Sequence, residues 1–446
     1  MQTPQLKKPS SKDHSPLAQL IRTRMKLPEI QRLKKLGNLL ESFHGKYAVT
    51  SKVDKRKIVL NGKEVINFGS ANYLGFDFHP EVITASQQAV QEWGTHAGCS
   101  RVFASHSNIF ELEENLSKLV GAEKTLIGHN ISQIHAGVLP ALYSNQQSAI
   151  FIDRHAHMSM YQASLIAQAK GAKIIPVDIS KVTKAQQTIL DSRLEHNVLL
   201  VDGVYSMQGH TPPLLEWDQF CKEQNTVLYI DDAHGIGIFG ENGGGVVEKY
   251  QLPWGNILVT GSLQKAFSSY GGFISGQAAI IDLIRLSSKA YIFSGTIQPS
   301  AVAGALKALQ ISKSPEGQAL RSKLKDNSLE IRARLNSIGY KVSMDPSPII
   351  PVPMGSDLLT MMAGRRMFDL GMYVNSVVFP AVPHDEGVLR ISVTSLHSET
   401  EVNALVEAFS ELRKYLSKYE NPLHFYAHAT KEIIKSKIFL DTYKGL

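Results

Sequence analysis

Seven short apolar runs recur between residues 124 and 275, and their spacing limits the fold more tightly than any other feature of the chain. They read "KTLIG" (124–128), "AIFID" (149–153), "KIIPV" (173–177), "NVLLVDG" (197–203), "TVLYIDD" (226–232), "ILVTGS" (257–262) and "GFIS" (272–275). Most are separated by helical stretches such as 159–170. Strand and helix in alternation predict an α/β fold, with a largely parallel sheet covered on both faces. Such sheets place ligands at the carboxyl ends of their strands, so the residues just after each run are the ones to read for chemistry.

The flanks read differently. Apolar residues at helical spacing from Leu17 to Leu40, amid basic ones, predict a helical N-terminal arm over 17–45, with 1–16 disordered. Asn61-Gly62 between two β-type runs predicts a hairpin. Residues 300–340 read as helical, with a glycine stop at Gly339. Strand and helix then alternate over 341–420, and Ser398-x-x-Glu401 opens the last helix as a capping box. The division expected is an N-terminal arm over 1–67, a large α/β domain over 68–303 and a smaller α+β domain over 304–446.

Composition excludes several classes. A formal charge of +7 over 446 residues, with no basic tract interleaved with aromatics, argues against a nucleic-acid binder. Two cysteines, Cys99 and Cys221, are too few for a disulfide framework or a structural zinc site. There is no secretory h-region, and no apolar run reaches the roughly 18 residues a bilayer span needs. A cytoplasmic protein without integral membrane segments or metal is expected.

Gly235-Ile-Gly237-Ile-Phe-Gly240 matches G-x-G-x-x-G literally. The dinucleotide fingerprint needs its first glycine directly after the strand, to bring a pyrophosphate to a helix N-terminus. Here Asp231 to His234 intervene, two carboxylates would repel the phosphates, and Glu-Asn-Gly-Gly-Gly follows with poor helix propensity. The informative residues are therefore Asp231-Asp-Ala-His234. In "VTGSLQKAFSSYGG" (259–272), Lys265 likewise follows a strand. An aspartate and a lysine so placed suit pyridoxal 5′-phosphate (PLP): the amine binds the aldehyde, and the carboxylate keeps the pyridine nitrogen protonated so that the ring accepts electrons.

At these residues the chain resembles the α-oxoamine synthases, which have the architecture of fold-type-I PLP-dependent transferases. The resemblance spans about 60–416. "FGSANYLGF" (68–76) is similar to the family's opening N-x-Y-L-G motif, and six further matches follow: "DRHAHMS" (153–159), "DGVYSMQGHTPPL" (202–214), "DDAHGIGIFGENGGG" (231–245), "SLQKAF" (262–267), "FSGTIQP" (293–299) and "LRISVT" (389–394). The resemblance implies a large domain with a mostly parallel seven-stranded sheet and a smaller C-terminal α+β domain. It implies Lys265 as the lysine that binds the cofactor and moves the substrate α-proton. Asp231 would partner the pyridine nitrogen, His234 the ring hydroxyl, and His157 would stack on the ring, with Ser206 a further polar contact. Ser262 would lie near the phosphate, together with the backbone at Asn130 and Ile131 at a helix N-terminus. Ser294 and Thr296 would reach the phosphate of a neighbouring subunit in a homodimer with shared sites. Asn72 and Arg390 would hold the amino-acid carboxylate, for which a guanidinium is well shaped.

Two stretches depart from the family pattern. His129-Asn130-Ile131 stands where S-G-[FWY] is common, and "GTHAGCSRVFASHS" (94–107) carries His96 and Arg101 among small residues. Both are expected to border the substrate pocket. Within the family, "AHMS" and "SLxK" look closer to the synthases of α-hydroxyketone signal precursors. The activity implied is PLP-dependent condensation of an α-amino acid with an acyl-coenzyme A, with decarboxylation, to an α-aminoketone. An aminotransferase on the same fold is the alternative.

Overall fold

The structure, a computed structural model, describes residues 15–28, 30–31, 49–52, 56–96 and 98–417. Pro16–Arg24 is helical and capped by Ser15, whose hydroxyl accepts the Ala18 amide at 3.2 Å. Most of the remaining expected arm lies outside the described residues, as does the stretch before Ser15. Three strands follow: β1 (Val49–Lys52), β2 (Lys57–Leu60) and β3 (Lys63–Asn67). Asn61 and Gly62 turn between β2 and β3 with φ of 50° and 79°, the left-handed pair that a two-residue hairpin requires.

All seven apolar runs are strands of one sheet. They are β4 (Lys124–Gly128), β5 (Ser148–Asp153), β6 (Lys173–Val177), β7 (His196–Asp202), β8 (Thr226–Asp231), β9 (Ile257–Ser262) and β10 (Gly272–Gly276). The spatial order is β4-β10-β9-β8-β7-β5-β6, parallel throughout except for β10, which runs antiparallel to both neighbours. Alternate residues serve two cores. Ile150, Ile152, Val198, Leu200 and Tyr229 pack with helices Ile131–Leu142 and Met158–Gln168 on one face. Phe151, Leu199, Val201, Leu228 and Ile230 pack on the other with Ser107–Val120, Leu214–Glu223 and Pro299–Ser312. Burial on both sides is why these strands carry no polar face.

The C-terminal part holds β11 (Ile349–Gly355), β12 (Met372–Tyr373), β13 (Asn375–Val377) and β14 (Gly387–Ser392), with β11-β14-β13 forming an antiparallel sheet. Strand β12 instead pairs with β3, so the hairpin near the start of the chain completes a sheet with this region. The helical stretch before it is two helices, Pro299–Ser312 and Pro315–Ser337, because Ser314-Pro315 caps and restarts the chain. Gly339 ends the second with φ 91°. The capping box forms: the Ser398 amide donates to Glu401 Oε2 (2.8 Å) and the Glu401 amide to Ser398 Oγ (3.3 Å). Neither cysteine is in a disulfide among the described residues. No helix among the described residues is long and apolar enough to cross a membrane.

His397 fastens the segment entering the large sheet to the C-terminal region. It is fully buried, stacks on Phe68 with ring centroids 3.9 Å apart, accepts the Thr394 amide at Nδ1 (3.0 Å) and donates from Nε2 to the Asn67 carbonyl (3.1 Å). Burial above all, with the charge of Arg56, lowers its pKa to about 3. The folded state therefore binds one proton fewer than the unfolded state between about pH 6.5 and 3. The stability this neutral ring contributes is complete above the unfolded value and falls by about 1.4 kcal/mol per pH unit below it. Urea unfolding of the parent and His397→Gln from pH 7 to 4.5 should show the variant's acid limb shallower by one proton; parallel limbs would contradict this.

Candidate active site

The carboxyl ends of β4, β5, β7, β8 and β9, and the start of the reversed β10, meet at one edge of the sheet. Asp231 ends β8, buried, beside Asp202 at the end of β7, the two being registered partners. Asp231 Oδ2 lies 3.0 Å from Nε2 of His135, and its Oδ1 accepts the Ala233 amide at 3.1 Å. Burial pushes its pKa up, but the His135 hydrogen bond and the charges of His135, Lys265 and His157 outweigh this and hold it below the usual carboxylate range. Asp202 goes the other way: burial first, then the charge of Asp231, raise it well above that range. One of the two is an anion and its neighbour a neutral acid.

Lys265 follows β9 by three residues and is half-buried in the cleft, where Ser268, at φ 49°, closes the turn after it. Burial lowers the amine to about 8, the charge of Asp231 opposing and that of Arg390 assisting. His157 caps the helix after β5: its amide donates to Asp202 Oδ1 (3.0 Å) while its ring stays exposed to the cleft. His234 is buried, and its Nδ1 lies 2.7 Å from the Tyr73 hydroxyl. Burial, Lys265 and Arg390 keep the imidazole neutral, and burial raises Tyr73 to about 12, so the phenol donates and Nε2 of His234 carries the ring proton. Arg390, on β14, donates from Nε to the Ser206 carbonyl (2.7 Å) and bonds Tyr73, bringing the C-terminal region against the site.

The other end of the site is the N-terminus of helix Ile131–Leu142. Asn130 Oδ1 accepts the Gln133 amide (2.8 Å) and Gln133 Oε1 accepts the His129 amide (2.8 Å), a reciprocal cap. The amides of Ile131 and Ser132 remain as first-turn donors without an intrahelical acceptor. Gly272 lies so close behind that a Cβ there would stand 2.3 Å from the Ile131 nitrogen. Near this turn Thr296 Oγ1 is buried without a hydrogen-bond partner, and Ser262, paired with Gly272, has its Oγ accept the Gln264 amide, leaving its proton free to donate. Ser294 donates to the Tyr291 carbonyl (3.2 Å), and the Thr296 carbonyl lies 3.4 Å from His129 Nε2. Unpartnered hydroxyls and amides at one end, with a buried anion at the other, fit a phosphorylated pyridinium.

The sequence reading missed His135, Tyr73 and Asp202. His135 follows its helix start by one turn, pointing at the sheet, and only the pairing of β4's helix with β8 reveals its partner. Asn72 finds no side-chain partner among the described residues, whereas Tyr73 beside it is tied into the site. Counting back from Tyr73, the N-x-Y-L-G asparagine position is Ala71 in this chain. The G-x-G-x-x-G stretch is a turn in which Gly235, with Gly203 and Gly245, packs on the buried Asp232 carboxyl; the helix that follows, Gly245–Tyr250, has only six residues. It is not a dinucleotide loop.

In protein freed of bound small molecules, acylation of Lys265 followed by mass spectrometry should titrate near pH 8, against about 10.4 for ordinary lysines. Asp231→Asn should move the midpoint lower, since the lost anion favoured the ammonium. A midpoint at 10 or above would refute this environment.

The family profile described as Aminotransferase class I and II matches residues 63–409. A putative 8-amino-7-oxononanoate synthase from Desulforudis audaxviator is 30% identical over 356 residues, 80% of this chain and 91% of that one. A serine palmitoyltransferase from Sphingobacterium spiritivorum is 31% identical over 360 residues, 80% and 89% of the two chains. A solved serine palmitoyltransferase from S. paucimobilis with bound PLP and myriocin superposes with TM-score 0.81 at 23% identity, covering 89% of this chain and 98% of that one. The chain thus belongs to the aminotransferase class I and II family and, within it, to the α-oxoamine synthases, PLP-dependent acyltransferases.

Proposed function

We propose that the enzyme joins an α-amino acid to the acyl group of an acyl-coenzyme A, releasing carbon dioxide and the free thiol and giving an α-aminoketone. One observation carries this reading furthest: a lysine amine lowered to about 8 lies within electrostatic reach of an ionised carboxylate from the large sheet and of Arg390 from the C-terminal region. Relatives named for acyl transfer to an amino acid support the same chemistry.

Lys265 would hold the cofactor covalently, Asp231 its ring nitrogen, His234 Nε2–H its ring oxygen and His157 its face. Ser206 would add a polar contact. Ser262 and the amides beginning at Ile131, in the turn that Asn130 caps, would take the phosphate, and Ser294 and Thr296 would reach it from a second copy of the chain. Bound there, the cofactor supplies an electron sink for negative charge at the amino acid's α-carbon. His135 keeps Asp231 ionised, which holds a proton on the ring nitrogen. Lys265, with a pKa near neutrality, is suited to take the α-proton and return it. Arg390 would clamp the amino-acid carboxylate, with Asn72 as a second polar group for it. Carbon of the amino acid attacks the thioester carbonyl, the carbon–sulfur bond breaks, and the carboxylate leaves as carbon dioxide.

A homodimer with shared sites is part of the proposal. Phe103 and Phe293 stand 84% and 82% exposed on loops joined by the Ser100–Gly295 bridge, next to Ser294 and Thr296. Large aromatic side chains so exposed suit an interface between copies. Mixing Lys265→Ala with a Thr296→Ala variant should restore part of the activity, and a fully active monomer in light scattering would exclude the shared site.

Amino-acid and acyl-coenzyme A panels, read by thiol release and mass spectrometry, test the reaction itself. The expected products are free thiol and an aminoketone, with no keto acid required. Asp231→Asn should fold normally and lose at least about two orders of magnitude in turnover, comparable to removing one preorganised electrostatic group. Conversion of amino acid to keto acid with the thioester untouched would replace this reading by aminotransferase activity.

A further inference from the structure

Tyr73 is fully buried in the segment between β3 and helix Pro80–Trp93, and its backbone and side chain serve different parts of the molecule. Its carbonyl accepts the Ser395 amide (2.8 Å), and the Phe68 carbonyl in the same segment accepts the Ser392 amide (2.7 Å), so the backbone rides on the C-terminal region. The side chain reaches the other way, with its hydroxyl 2.7 Å from His234 Nδ1 beyond the end of β8. Arg390 of β14 bonds the same hydroxyl. Packing alone would be served by phenylalanine, and a buried hydroxyl costs stability unless it is bonded.

The direction of these bonds follows from the groups. A guanidinium only donates and a phenol has one proton, so Arg390 takes a lone pair of the Tyr73 oxygen and the phenol proton goes to His234 Nδ1. The chain of donors then runs one way, from Arg390 through Tyr73 to His234 and out through Nε2–H. Bonds aligned in this sense polarise one another, so a change at the first is felt at the last. Nε of Arg390 is committed to the Ser206 carbonyl (2.7 Å), which leaves the Nη groups to serve both the phenol and any carboxylate that arrives. A carboxylate is the stronger acceptor of the two, because its bond to a guanidinium is charge-assisted.

We propose that Tyr73 is a positioning residue that reports occupation of Arg390 to His234: a carboxylate on the guanidinium weakens the phenol as a donor to Nδ1, and Nε2–H weakens with it. The inference rests on the proposed function, in which Arg390 takes the amino-acid carboxylate and His234 the cofactor's ring oxygen. Arrival of the amino acid on the C-terminal side is thereby signalled to the ring contact on the large sheet.

Nitrogen NMR of the holoenzyme carrying isotope-labelled histidine, with His234 assigned from His234→Gln, tests the coupling. Propionate, a carboxylate without an amine, is the probe. In the parent, Nδ1 of His234 should resonate as a hydrogen-bonded acceptor, and both ring nitrogens should shift saturably with propionate. In Tyr73→Phe, Nδ1 should resonate as an unbonded acceptor and the propionate response should shrink at least about twofold. Lys265, Arg390 and His157, the titratable groups that act on this ring, are the same in both proteins, so the difference reads the hydroxyl alone. Should Tyr73→Phe fail to fold, a ring-fluorinated tyrosine at position 73, whose more acidic phenol donates more strongly, should move Nδ1 in the direction opposite to propionate. A parent that does not respond, a Tyr73→Phe protein that responds in full, or an Nδ1 indifferent to fluorination would each overturn the proposal. Thiol release from acyl-coenzyme A with amino acid is measured alongside: its absence refutes the reaction, whereas release with His234 unmoved refutes the coupling alone.

Discussion

Two carboxyl groups end neighbouring parallel strands in register, and the chemistry of the site depends on how their charges are divided. Asp202 and Asp231 stand on strands about 4.8 Å apart with their side chains on the same face. Two anions at about 5 Å in a medium of effective dielectric near 20 repel by about 3 kcal/mol, so both do not ionise near neutrality. The asymmetry of partners decides which one does. Asp231 has a histidine ring on one oxygen and the Ala233 amide on the other, whereas Asp202 has one backbone amide, from His157, and Lys265 is in reach of both. The neutral acid then fixes the start of the helix that presents His157, and the anion faces the cleft. A single strand register thus sets both the buried anion of the site and the position of the His157 ring.

Much of this was legible in the sequence. Strands buried on both faces show as unbroken apolar runs, and β4 to β10 lie where those runs stand, because no periodicity needs to be resolved to find them. The hairpin at Asn61-Gly62 and the cap at Ser398 rest on one or two residues with strict backbone demands, and both form. The positions of Lys265, Asp231, His157 and His234 were readable because each lies at, or within a turn after, the carboxyl end of a strand. The helix inferred over 300–340 was less well resolved, since Ser314-Pro315 breaks it without changing its apolar spacing.

The residues that were not legible share a physical reason. His135 acts on Asp231 across 96 positions, Tyr73 on His234 across 161, and Asp202 on the His157 amide across 45. None has a local signature, because a histidine on a helix or a tyrosine beside a turn is ordinary until the fold supplies its partner. The pairing of β12 with β3 is hidden for the same reason: two residues of strand carry too little pattern, and their register comes from the hairpin they join.

The departures at 94–107 and 129–131 fall together in space, around Ser294–Thr296, so their effect is local to the end of the site that holds unpartnered amides and hydroxyls. The loss of an aromatic at Ile131 leaves that end intact, because the donors there are backbone groups fixed by the Asn130–Gln133 cap and backed by Gly272, and a backbone amide is indifferent to its own side chain. What changes is the volume and polarity next to the turn, where His96 and His129 stand against the Gly295–Thr296 segment. Arg390 and Tyr73 lie instead on the side where β14 approaches the sheet. On the proposed reading, anchoring of the phosphate and recognition of the amino acid would thus be built on separate elements, so that sequence change at the first could accumulate without disturbing the second.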